Sequence, residues 1–158
     1  MAGFKWPGAF TALANLLTGS TVTGATITGS TMTTSSLAGT NVTATGNLGF
    51  AATAGGAVTQ QTDKSTGVTL DKMCGAITMN GAQLATTAAV GFTLTNNKIA
   101  ANDMVLVCIK SGATAATYDV IVDAVAAGSC HITLRNYSGS NYSEAIVLSF
   151  MVIKGVIA

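Results

Sequence analysis

One histidine, three cysteines and six carboxylates are the side chains of this 158-residue chain best suited to catalysis or metal binding. His131 could serve as a general base between an acid and a nucleophile such as Cys74 or a serine. Cys74, Cys108 and Cys130 could bind a metal or attack as thiolates. The spacing favours none of this. The cysteines are widely separated, form no CxxC pair and have a single histidine to join them, so no zinc set takes shape. Asp119 and Asp123 flank Ile121 on one strand face, about 13 Å apart at about 3.3 Å per residue. A glycosidase pair needs roughly 5–9.5 Å. Lys64-Ser65-Thr66-Gly67 lacks the preceding glycine of a phosphate-binding loop and reads as a turn. His131 alternates with apolar neighbours and falls with Thr133 and Arg135 on a wet strand face. The expectation is no enzyme, no cofactor and no metal site.

The elements that carry these residues follow from composition and patterning. Charged residues make up 8% of the chain and the net charge is +1, so no clustered cations are present to neutralise phosphates and nucleic-acid binding is not expected. Mean hydropathy is +0.52, but no apolar run reaches the roughly 18 residues of a membrane span, and no membrane insertion is expected. The start of the chain lacks the uninterrupted apolar core of a secretion signal, because Trp6-Pro7-Gly8 follows Lys5 at once. The three cysteines read as small buried hydrophobes of a protein made in a reducing cytoplasm.

Charge divides the chain. No charged residue lies between Lys5 and Asp63, whereas every acid and six of the seven bases lie from Asp63 onward. Such a charge-free stretch does not make an ordinary soluble surface. Its first part, residues 1–16, gathers Phe4, Trp6 and Phe10 around a Pro-Gly break, which suits a docking segment that buries aromatic anchors on a partner. Next comes an internal repeat. Leu17, Val22, Ile27, Met32, Leu37 and Val42 recur every five residues, in units such as LTGST, VTGAT and ITGST. A period of five fits neither a helix nor a long strand. It fits a coiled ribbon that stacks one apolar side chain inward per unit. The pattern resembles the pentapeptide-repeat family. Six units make about one and a half turns, too few for a solenoid to bury its core alone. Three chains side by side would let the row meet two copies of itself. Residues 17–56 are therefore expected to form a β-helical or intertwined trimeric shaft with a connector at 49–56.

Residues 57–158 read as the head. Strands are expected at 57–61, 68–70, 75–79, 90–95, 103–110, 118–125, 129–137 and 145–157, separated by turn signals such as Asn80-Gly81, Ser111-Gly112 and Ala127-Gly128. Eight short strands predict an all-β, antiparallel β-sandwich of jelly-roll-like form. Two strands depart from one-sided alternation: Met104 to Ile109 and Ile146 to Ile153 are apolar on both faces. A sandwich strand of that kind needs a further layer or another subunit outside it.

The stretches Val58 to Leu70, Cys74-Gly75-Ala76-Ile77-Thr78-Met79, Val90 to Asn96 and Gly128 to Leu134 resemble a domain of tailed-bacteriophage virion proteins. The TGST-type units upstream look like phage-fibre shafts. The resemblance implies a homotrimeric fibre, spike or capsid decoration without catalytic residues. The expected protein is a structural component of the virion, a short head fibre or capsid decoration held through its N-terminus to a capsid or tail protein. The alternative is a tail fibre or spike that adheres to a host receptor or surface glycan. A carbohydrate-binding module would need exposed aromatics, for which only Tyr118, Tyr137 and Tyr142 qualify.

Overall fold

The structure, a computed structural model, describes residues 49–155. A short 3₁₀ turn at Ala52–Ala54 precedes eight strands: β1 (Ala57–Thr59), β2 (Val68–Thr69), β3 (Cys74–Thr78), β4 (Ala89–Thr95), β5 (Met104–Ser111), β6 (Tyr118–Ala126), β7 (Ser129–Asn136) and β8 (Val147–Ile153). They form two four-stranded sheets, ordered β1-β3-β8-β5 and β2-β4-β7-β6. Among the described residues no helix is long and apolar enough to cross a membrane.

Period-two alternation builds the sheets. On β7, Cys130, Ile132 and Leu134 turn inward, while His131, Thr133 and Arg135 turn outward. On β4, Phe92 and Leu94 are buried and Thr93 and Thr95 exposed. β8 contributes Leu148, Phe150 and Val152, and β3 contributes Ile77. Buried residues of both sheets belong to one core cluster. Burying an aliphatic or aromatic side chain of this kind stabilises by about 1.5–3 kcal/mol.

The sheets are mixed, which corrects the antiparallel expectation. β1 runs parallel to β3 and β2 parallel to β4, and the other neighbours are antiparallel. The cause is the route of the chain. From β1 to β4 it alternates between the sheets at every step, so each return to a sheet lays the new strand in the same sense as the last. The later strands include the tight β6–β7 hairpin, turned at Ala127-Gly128 with Gly128 at φ +82°, the conformation that glycine adopts most cheaply.

Two strands stop well short of their expected ends at residues 61 and 157. The first ends at Thr59: the backbone amide of the buried Gln60 still donates to the Thr78 carbonyl, and its side chain then ties down the loop that follows. Its side-chain amide donates to the carbonyls of Lys64 and Thr66, and its oxygen accepts from the Asn80 amide. The last ends at Ile153 because Lys154 pairs with Asp103 and the Gly155 amide donates to the same carboxylate. Lys64 is 3% exposed. Its ammonium donates at 2.5 Å to the carbonyls of Asn80 and Glu144, and burial pushes its pKa down against the pull of the Glu144 charge. Two buried asparagines anchor opposite ends of the second sheet. Asn96 donates to the Lys72 carbonyl, and Asn136 donates to the carbonyls of Leu84, Ala85 and Ser140. Buried amides hold their place only when so satisfied.

Candidate functional site

Two surface features stand out, one on each sheet. The first is the outer face of β5 and β8. Their register sets Met104 opposite Ile153, Leu106 opposite Met151 and Cys108 opposite Ser149. The residues between them, Val105 and Val107 on β5 and Phe150 and Val152 on β8, turn to the core. The strands are apolar on both sides, as the sequence indicates, and among the described residues nothing covers the outer side. Met104 is 58% exposed, Leu106 48%, Met151 40% and Ile153 43%. A row of adjacent large apolar side chains is a stronger signal than scattered ones, since single exposed apolar residues are ordinary. No charged side chain interrupts the three cross-strand pairs. Lys110 follows at the far end, where a register shift between Ile109 and Ser111 breaks the ladder.

The exposure of this row corrects the reading of the cysteines. Cys108 is exposed, Cys74 half-buried and Cys130 buried. All three are free thiols. Burial pushes the Cys130 thiol up, to about 11.

The second feature lies on the outer face of β6 and β7. The pairing slips between Val122 and Ala124, leaving Asp123 as an extra residue opposite β7. Such a bulge re-aims a side chain. Here it points the Asp123 carboxylate at two neighbours. His131 Nδ1 stands 2.6 Å from Asp123 Oδ1, and the Thr133 hydroxyl donates to Oδ2 at 2.8 Å. The hydrogen bond with His131, followed by that from Thr133, holds the Asp123 pKa below its ordinary value. Gly91, opposite Thr133 on β4, leaves room for the imidazole. A Cβ there would lie 2.3 Å from the His131 ring. The ring borders a shallow open hollow lined by Thr93, Ala124, Ala126 and Ser129.

An acid that orients a histidine supplies two of the three members of a catalytic triad. Among the described residues no hydroxyl or thiol hydrogen-bonds the other ring nitrogen, and both members of the pair are more than a third exposed. The arrangement therefore fixes a surface imidazole across two strands. Sequence spacing missed it because Asp123 and His131 meet only through the bulge. Among the described residues no cluster of three His, Cys, Asp or Glu side chains could hold a metal.

The aromatics proposed as possible sugar platforms are mostly withdrawn from the surface. Tyr118 is buried at 7% exposure, and Tyr142 packs against it edge-on with ring centroids 6.1 Å apart. Tyr137 is 51% exposed. The docking residues Phe4, Trp6 and Phe10 and the stacked residues Leu17, Val22, Ile27, Met32, Leu37 and Val42 lie outside the described residues. No family model, no curated protein and no solved structure matches the chain.

Proposed function

We propose that the chain is a structural virion protein of a tailed bacteriophage, a short trimeric head fibre or capsid decoration. In this reading residues 1–16 dock on a capsid or tail protein, the pentad region to residue 56 forms a shaft, and residues 57–158 are a sandwich-like head displayed on the particle. The observation that carries it is the exposed apolar row on β5 and β8. A domain with such a row, preceded by a charge-free stretch of phased apolar residues, is built for assembly with other chains. The sequence resemblance to virion domains supplies the kind of assembly. The alternative, a tail fibre that adheres to a host receptor or glycan, draws less support, because Tyr118 is buried and Tyr142 is half-buried against it, which leaves Tyr137 as the exposed ring of the three.

Attachment is tested by deleting residues 2–10. The shortened protein should remain a folded trimer and no longer join the particle. Incorporation at the normal copy number would mean that the head, not the N-terminus, attaches.

A further inference from the structure

We infer that the outer β5–β8 face is where the head domains of neighbouring copies of this chain meet. This rests on the trimeric reading above and gives it a specific surface. Three observations point to a second copy of the chain rather than an unrelated partner.

The first is chemical. Met104, Leu106, Cys108, Ser149, Met151 and Ile153 carry no charge, so the face has nothing to complement the charge pattern of a particular foreign surface. Around a three-fold axis, copies of the same uncharged row can meet one another by apolar contact alone. The second is position in the sheet. β5 is the last strand in the order β1-β3-β8-β5, so the exposed row reaches the margin of its sheet. The third is where the chain enters. The Met73 amide donates to the Ala54 carbonyl, and the Val152 amide donates to the Met73 carbonyl. The entry segment thus runs beside the end of the sheet that holds Met151 and Ile153. Phe50, 42% exposed, belongs to that segment. In the proposed trimer each head is tethered through the chain that enters here, beside Met151 and Ile153.

Stable interfaces bury about 800 Å² on each partner. The row need not supply all of that, because the repeat would contribute the rest.

Cys108 lies in the row and reports on it. The full-length protein is pulsed with N-ethylmaleimide, and alkylation is measured at each cysteine by peptide mass spectrometry. The same sample is sized by sedimentation. Cys130 is the buried reference. A trimer in which Cys108 reacts at least about tenfold more slowly than in the Leu106→Asp variant supports the inference. The wild-type result decides even if that variant does not fold, with rapid alkylation of the urea-unfolded chain as the reference rate. A trimer whose Cys108 reacts at that unfolded rate overturns the inference and leaves the trimeric reading standing. A monomer with rapid Cys108 overturns both. A monomer with protected Cys108 means that another part of the same chain covers the face, which also overturns it.

Discussion

Asp123 and His131, eight positions apart, are joined by a 2.6 Å hydrogen bond that spans β6 and β7. An ionised carboxylate can only accept, so the hydrogen sits on Nδ1 of the imidazole. The bond locks both the bulge and the ring. Because it lowers the Asp123 pKa, its contribution to stability is complete above the unfolded value near 3.8 and is lost as pH falls through the lower folded value. Asp123→Asn removes that component. Urea midpoints measured from about pH 6 down to about pH 2 should fall less steeply for the variant than for the wild type. Parallel curves would show that the pair adds nothing to acid sensitivity.

Gly91→Ala tests the same site from the other side. The new methyl group would occupy the place of the imidazole, so the ring must swing out and leave Asp123. The His131 side chain is 42% exposed, so the displaced ring can turn into solvent and the fold should survive. The nuclear magnetic resonance signal of the bonded Nδ1 hydrogen should disappear while the backbone spectrum of β3 and β8 stays the same. Retention of that signal would contradict the packing of the ring over Gly91.

Lys64 holds the loop between β1 and β2 against the rest of the domain. Lys64→Met keeps the aliphatic stem and leaves the carbonyls of Asn80 and Glu144 without their donor. Each buried orphan costs roughly 1–3 kcal/mol, and chemical denaturation should record a loss in that range or somewhat more. A neutral effect would mean that water replaces the ammonium without penalty.

Core and outer row should respond differently to truncation. Leu134 is fully buried and Met104 is 58% exposed. Leu134→Ala should destabilise by about 2–5 kcal/mol. Met104→Ala should leave the unfolding midpoint of the head nearly unchanged and weaken association instead. Equal losses of fold stability would place Met104 in a monomer core.

Much of the head was legible because its signal is local. Ile132 and Leu134 alternating with Thr133 and Arg135 mark a half-wet strand, and Ala127-Gly128 marks a hairpin. The outer row was legible too, as strands apolar on both faces. That alternation cannot say whether the outer face is filled, so Cys108 reads as buried when it is exposed. Sheet order was not legible, since the exchange of β1 to β4 between sheets is decided by contacts distant in sequence. The Asp123–His131 pair depends on a one-residue slip that no spacing announces. The burial of Lys64 runs against the usual exposure of lysine, and only the two carbonyls waiting for it explain it.

Trimerisation is the claim on which the proposed fibre stands, and sedimentation equilibrium of the intact chain tests it most directly. The account predicts a particle three times the 15.7 kDa of one chain. It also predicts that Ile27→Asp, which puts a charge at each copy of one level of the proposed stack, shifts the protein to monomer or aggregate. A wild-type monomer, or a variant trimer as stable as the wild type, would contradict it.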